Sequence, residues 1–511
     1  MNFELSEHVK FTDEQEIAIH AVLNNAKGQI ISPTGSGKTY IAFEVWRQII
    51  ENTTFPNLFV VFCPTILLCG QWASEVNNYM TNIHGLDIHH VLGNSGGMDA
   101  KDQQEFYKSA IGKNHQPLRV RSTTSSREIY QEIVEARSKS KTTVIYACYK
   151  SWESVDRAMN RLASEQYPEC DSIVYDECHK IRGETNDCVH IPSARKHFYT
   201  ATPSFSPSGN TVASNNELLL GPIVYELKPY EAIRKGIITE PVLCVIDLQQ
   251  QYKNNIEFSA DNDQTGTIIA TFLDNQKMID EHPGPPTGYA SQLMVTVDGI
   301  GSLNGITGST GFGRLLEITN NNVFVIDSQN GANMYQVIDT NNGHMEKVSR
   351  KVYLDKIRSL GPTDPLIIIH VDIMTEGIDA SNLNAILFLR RCGTNRKILQ
   401  QVGRATRLDR EDRKDIWVTK ILQPMDFEFY RKPFANIYYA MTNEYGPDGL
   451  QEAEDVLEVF FEDYRVPREN IRINYGQTPP SPDVELGNQN LRAKSIVHDE
   501  NSLAINIIRK A

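Results

Sequence analysis

Three absences narrow what this 511-residue chain can be. It has no long apolar run: the longest, Leu58 to Gly70, is interrupted by Pro64 and Thr65 and falls short of the ~20 residues a bilayer-spanning helix needs. Its first ten residues, Met1 to Lys10, lack the basic start and apolar core of a secretory signal. None of its eight cysteines (Cys63, Cys69, Cys148, Cys170, Cys178, Cys188, Cys244 and Cys392) forms a C-x-x-C pair, and no zinc-ligand spacing links the neighbours Cys170, Cys178 and Cys188. A soluble, cytoplasmic protein with no membrane partner and reduced packing or surface thiols is expected. Basic charge is also scarce: 50 Lys and Arg against 64 Asp and Glu leave a net charge of −14. That balance argues against coating nucleic acid by bulk electrostatics, yet it permits a local groove that touches a few phosphates.

What is present begins with Gln29-Ile-Ile-Ser-Pro-Thr-Gly-Ser-Gly-Lys-Thr-Tyr-Ile-Ala-Phe43. An apolar strand end runs into a loop of Pro33, Thr34, Gly35, Ser36 and Gly37, then Lys38-Thr39, then a helical run from Tyr40. Such a loop can curl its backbone N–H groups around one centre, and the following helix adds its positive N-terminal end. Lys38 would reach the β- and γ-phosphates of a nucleotide, and the Thr39 hydroxyl would sit on Mg²⁺. Ser32 stands where this pattern usually opens with glycine. ATP with Mg²⁺ is the expected ligand, and no other metal is implied.

At this length two to four domains are expected. Residues 11–26 read as a helix capped by Thr12, with Gln15 three residues on. Gln15 either completes that capping box or reads adenine with its amide; spacing leaves both open. A helix at Tyr40–Ile50 and an apolar strand at Leu58–Phe62 follow, and strand and helix keep alternating as in an α/β domain with a mostly parallel sheet. From Gly93 to Arg127 the pattern lapses into Gly, Ser, Asn and Thr with scattered Arg and Lys, read as a solvated insertion rather than a basic contact loop. A helix at Glu128–Ser138 and a strand at Thr143–Tyr149 restore it. Ser172-Ile-Val-Tyr-Asp-Glu-Cys-His179 delivers two carboxylates to a strand end, where parallel sheets gather active groups. There Asp176 can hold Mg²⁺ through its hydration shell and Glu177 can deprotonate an attacking water.

A boundary falls between Lys228 and Pro241, and the second alternating pattern includes strands at Pro241–Leu248, Gln292–Val297, Asn322–Asp327, Pro365–Val371 and Ala385–Leu389. Helices are expected at Asp274–Ile279 and Lys347–Leu360, with another around Ile398–Arg407. In that last one, helical spacing puts Gln400, Gly403, Arg404 and Arg407 on one face as an anion clamp. The chain thus divides into 1–235, 236–442 and a tail, 443–511, that opens on the acidic amphipathic helix Glu452–Asp463.

The ordered set Pro-Thr-Gly-Ser-Gly-Lys-Thr, Cys-Pro-Thr, Asp-Glu-Cys-His, Thr-Ala-Thr-Pro, Glu-Gly-Ile-Asp and Gln-x-x-Gly-Arg-x-x-Arg, over residues 10–420, resembles a superfamily 2 helicase of the DEAD/DEAH type. Its later members are most similar to the branch of type III restriction subunits and DNA-dependent translocases. The resemblance implies two tandem RecA-like domains that couple ATP hydrolysis to movement on nucleic acid, with DNA preferred over RNA, and an accessory tail open to a protein partner. It implies an adenine-reading Gln15, phosphate and Mg²⁺ ligands Lys38, Thr39 and Asp176, and a catalytic base Glu177. Arg404 and Arg407 match arginine fingers, with Gln400 near the γ-phosphate. His179, Thr200 and Thr202 would couple hydrolysis to strand movement, and Gly377 and Asp379 would link the second domain to nucleotide and strand. Pro64, Thr65, Tyr149 and Ser151 fall where the family touches the nucleic-acid backbone; Val371 stands where many members have a backbone-contacting Thr. Two other readings are a nucleotide-gated interaction protein and the motor subunit of a restriction system without its own nuclease.

Overall fold

A computed structural model describes residues 10–93, 121–205, 212–247, 290, 292–297, 316, 322–327, 334–338, 345–348, 356–357, 359–370, 382–388, 395–441, 456–466 and 471–474. The chain forms two compact units, Met1–Leu227 and Lys228–Ala511. Each is an α/β unit built on its own sheet.

In the first unit the strands are β1 (Lys27–Ile31), β2 (Leu58–Cys63), β3 (Ile88–Gly93), β4 (Arg121–Thr123), β5 (Thr142–Cys148), β6 (Ser172–Asp176), β7 (Lys196–Thr200) and β8 (Ile223–Glu226). They lie in the order β4-β3-β5-β2-β6-β7-β1-β8, and every pairing is parallel. The helices are α1 (Asp13–Asn24), α2 (Lys38–Glu51), α3 (Ile66–Val76), α4 (Ser126–Ser138), α5 (Trp152–Ser164) and the single turn α6 (Glu217–Leu220). The six side chains of β2 are all buried, as expected for a parallel strand covered on both faces. Trp46 of α2 stacks on Phe59 of β2, ring centroids 4.8 Å apart, and fixes the helix that follows the phosphate loop against the sheet. The expected lapse at 93–127 closes earlier than its composition suggests: β4 joins the sheet edge beside β3, and Ser125 caps α4 by accepting the Glu128 N–H. A π-helical stretch, Asn77–Ile83, continues α3.

The second unit opens with α7 (Pro229–Arg234). Its strands are β9 (Glu240–Asp247), β10 (Gln292–Thr296), β11 (Val323–Asp327), β12 (Met334–Ile338), β13 (Met345–Val348), β14 (Leu366–His370), β15 (Ala385–Phe388), β16 (Phe434–Met441) and β17 (Ile471–Asn474). Their order is β13-β12-β11-β14-β10-β15-β16-β9-β17. Pairing is parallel except in the β11-β12-β13 meander at one edge. Two helices, α8 (Asn395–Ala405) and α9 (Arg410–Trp417), follow β15.

The helix expected over Lys347–Leu360 is corrected at its start: Lys347 and Val348 belong to β13, where Met345-Glu-Lys-Val pairs antiparallel with β12 through backbone hydrogen bonds that a sequence period cannot register, while residues 356–357 and 359 are helical. The tail is also part of the fold, since β17 pairs with β9 and extends the sheet. The helix expected at Asp274–Ile279 lies outside the described residues. Among the described residues, no helix is long and apolar enough to cross a membrane.

Candidate nucleotide site and its surroundings

All the first-unit residues singled out in the sequence stand at the carboxyl ends of β1, β2, β5, β6 and β7, apart from Gln15 on α1. Parallel pairing forces this: strands running the same way release their following loops at the same edge. The loop after β1 is tied to its neighbour by the Ser32 N–H, which donates to the Thr200 carbonyl at 3.1 Å. Inside the loop, Ser36 donates through its amide (3.2 Å) and its hydroxyl (2.8 Å) to the Pro33 carbonyl, and the Ser32 and Ser36 hydroxyls are 2.8 Å apart. Ser32 therefore has a packing role that a glycine would leave empty. Gly35 and Gly37 hold φ of +89° and +84°, left-handed values that a Cβ would penalise, and Gly37 is the N-cap of α2. Lys38 lies across the loop, its Nζ donating to the carbonyls of Ser32 (2.9 Å) and Pro33 (3.2 Å).

Gln15 meets one of its two expectations directly. Its Oε1 accepts the Thr12 N–H at 3.0 Å and its own N–H donates to the Thr12 hydroxyl at 3.2 Å, a complete capping box. Its Nε2 donates to the Ser36 carbonyl at 3.1 Å, joining α1 to the phosphate loop.

Across the strand-end gap, the Asp176 carboxylate is held at both oxygens: Oδ1 accepts the Glu177 N–H at 3.1 Å and Oδ2 accepts the Trp72 indole N–H at 2.8 Å. Glu177 sits at φ +50°, an uncommon conformation for a residue with a Cβ and one that recurs at functional sites. Its Oε2 is 3.3 Å from Nδ1 of His179, and the same nitrogen is 2.9 Å from the Thr200 hydroxyl and 3.4 Å from that of Thr202. The Thr200 hydroxyl donates to the Thr202 carbonyl at 3.2 Å, so it is an acceptor toward His179. Nδ1 then carries the proton, because it faces that hydroxyl and a carboxylate. One buried imidazole thus connects the ends of β6 and β7.

The expected nucleic-acid contacts divide. Pro64 and Thr65 are half-buried at the start of α3, where Thr65 is the N-cap and its hydroxyl accepts the Leu68 N–H at 3.4 Å. Tyr149 and Ser151 are only 3% and 2% exposed. The Tyr149 hydroxyl donates to the Asp176 carbonyl at 2.7 Å, its ring stacks on Phe62, and burial raises its pKa well above the ordinary value. Both side chains are packed in the core. Cys63, Cys69, Cys148, Cys170, Cys178 and Cys188 are buried. Among the described residues, no group of three His, Cys, Asp or Glu could hold a metal ion.

In the second unit Gln400 and Arg404 are buried on α8, at 6% and 8% exposure. Arg407 is not on that helix, which corrects the single-face expectation. α8 ends at Ala405; the Thr406 carbonyl accepts the Thr239 N–H at 2.8 Å, and Arg407 forms a bridge with Ile238. Backbone pairing with the entry to β9 captures the chain before another helical turn can form. Beneath α8, Gln401 accepts the Thr296 hydroxyl at 2.8 Å, and that hydroxyl lies 3.2 Å from Nε2 of His370. Burial, reinforced by the charge of Arg404, lowers the His370 pKa to about 3 and keeps its imidazole neutral. Val371, Gly377 and Asp379 lie outside the described residues.

Residues 8–205 match the family model described as "Type III restriction enzyme, res subunit". The match covers less than half of the chain and contains the phosphate loop, the strand-end carboxylates and the Thr-Ala-Thr-Pro segment. The DNA 3'-5' translocase XPB2 of Sulfurisphaera tokodaii is 34% identical over 76 residues, 15% of this chain and 16% of that protein. Among solved structures, the DNA-bound ATP-dependent type ISP restriction-modification enzyme LlaBIII superposes with a TM-score of 0.60 at 18% identity, covering 92% of this chain and 32% of that one. The DUF1998 helicase MrfA, bound to DNA and AMPPNP, gives 0.51 at 15% identity, covering 90% and 52%. These likenesses show that the chain shares the α/β fold of those structures, and the chain spans about a third of the length of the type ISP enzyme.

Trp72 is the residue at this site that the motifs did not single out. The signal was its position on the helix that Cys-Pro-Thr begins, seven residues after the Thr65 cap, where an indole reads simply as core.

Proposed function

We propose that the chain is an ATP-driven motor of the superfamily 2 helicase/translocase type that acts on DNA. Its domains are an ATP-binding RecA-like domain (1–235), a second RecA-like domain (236–442) and an accessory tail (443–511) available to a protein partner. The observation that carries this reading is one shared strand edge. A phosphate loop, two strand-end carboxylates and the His179–Thr200–Thr202 link meet there, inside a segment that matches the type III restriction enzyme res-subunit family.

The residues fit ATP with Mg²⁺. Two left-handed glycines and the start of the 14-residue helix α2 form a cradle for phosphate oxygens, and the Lys38 ammonium lies across the loop. Thr39 and Asp176 would hold the Mg²⁺, whose chemistry is to neutralise charge on the β- and γ-phosphates. Glu177 orients and deprotonates the attacking water, and Gln400, Arg404 and Arg407 serve the γ-phosphate. His179 links Glu177 to Thr200 and Thr202, so a change at the carboxylate is felt at the end of β7. Pro64 and Thr65 serve the nucleic-acid strand. DNA is preferred to RNA because the translocase, the type ISP enzyme and MrfA are each described with DNA.

The test is displacement of a triplex-forming oligonucleotide from duplex DNA. ATP-dependent release, lost with a non-hydrolysable analogue, is expected. Tight DNA binding with no release in ATP would overturn the motor and leave a nucleotide-gated binder.

A further inference from the structure

Trp72 is 3% exposed and sits two helical turns beyond Thr65 on α3. A buried indole N–H is stabilised by an acceptor, and here the acceptor is a carboxylate oxygen of Asp176, at 2.8 Å. The other oxygen takes the Glu177 N–H. With a donor on each oxygen, the plane of the carboxylate is fixed. The indole itself has little freedom. Phe43 meets it edge-on with centroids 5.4 Å apart, and Trp46 lies at 6.1 Å; both belong to α2, the helix that starts at Lys38. Thr65 caps the opposite end of the same α3. One rigid helix therefore runs from the Pro64–Thr65 turn to Asp176, clamped on the way against the helix that follows the phosphate loop.

We propose that Trp72 is a positioning residue: its indole N–H orients the Asp176 carboxylate for Mg²⁺, and α3 ties that orientation to the position of the Pro64–Thr65 turn. The inference rests on the reading of Asp176 as the Mg²⁺ carboxylate. A tryptophan that served packing alone would act through its rings, so the N–H and the rings are separable by substitution.

Trp72→Phe keeps an aromatic ring and removes the donor, whereas Trp72→His keeps a ring N–H in a smaller side chain. The Mg²⁺ concentration for half-maximal ATP turnover is expected to rise about tenfold in Trp72→Phe, the lower range for losing a partner behind a metal ligand. Trp72→His should lie closer to the wild type. Binding of a fluorescent ADP analogue in EDTA should be the same in all three. Equal Mg²⁺ requirements in wild type and Trp72→Phe, or equal increases in both variants, would overturn the proposal. A readout in the unmutated sequence accompanies it: in protein carrying 5-fluorotryptophan, the Trp72 resonance, assigned by its loss in Trp72→His, should move when Mg²⁺ is added to the ADP-bound state. A Trp72 resonance insensitive to Mg²⁺ would overturn the role as well. Wild-type protein without Mg²⁺-dependent turnover would overturn the reading of Asp176 and this inference together, whereas normal wild-type turnover with an unshifted Trp72→Phe overturns the inference alone.

Discussion

Glu177 shows how closely geometry and chemistry are joined at a single residue. The left-handed turn at φ +50° directs its carboxylate toward His179 rather than along the outgoing chain, at a conformational cost the surrounding bonds must offset. Its assigned work is proton abstraction, which requires the carboxylate rather than the shape of the side chain. Glu177→Gln preserves the shape and should lower ATP turnover by about 10²–10⁴-fold, the range for a general base. ATP affinity, measured by equilibrium binding with Mg²⁺ present, should stay near that of the wild type; unchanged turnover would remove Glu177 from the role. The phosphate loop and Asp176-Glu177 were legible in sequence because each is a short local pattern set by a strand end. Trp72 and the burial of Tyr149 were not, since both depend on which strands lie side by side: β5 and β6 flank β2, and the Tyr149 hydroxyl reaches the end of β6.

At the level of elements, sequence reading succeeded where one strand is buried on both faces. Leu58-Phe-Val-Val-Phe and Leu366-Ile-Ile-Ile are unbroken apolar runs, which parallel pairing demands. It failed at the end of β13, whose mixed sequence Met-Glu-Lys-Val fits a helix as readily as an edge strand. It failed again at the end of α8, where the corner around Lys432 decides. The Lys432 ammonium donates to the Arg407 carbonyl at 2.7 Å, and the N–H groups of Arg431 and Lys432 both donate to the Asp412 carboxylate. Thr239 donates its hydroxyl to the Pro433 carbonyl at 2.6 Å, closing the corner. Burial lowers the Lys432 pKa to about 7, with Arg407 acting in the same direction and Asp409 and Asp412 opposing. The unfolded chain keeps this amine protonated up to about 10.5, so between about 7 and 10.5 it binds more protons than the folded protein. This group therefore adds stability as pH rises through that window, and its penalty is full below about 7. Lys432→Met should remove the dependence: urea midpoints of variant and wild type should differ more in the variant's favour at pH 6.5 than at pH 9.5. A constant difference would mean that Lys432 stays charged when folded.

For the whole molecule, the two sheets account for the two alternating patterns in the sequence, and β17 brings part of the tail into the second of them. The proposed motor spans about a third of the length of the type ISP enzyme. Its central property would then be that ATP consumption answers to DNA, which whole-chain charge could not reveal and the strand-edge site makes chemically reasonable. Steady-state ATP turnover of the full chain, compared without nucleic acid and with duplex DNA, single-stranded DNA or RNA, tests this most directly. A severalfold rise with DNA that exceeds the rise with RNA, and that disappears in Glu177→Gln, is the predicted result; turnover indifferent to every nucleic acid would contradict it.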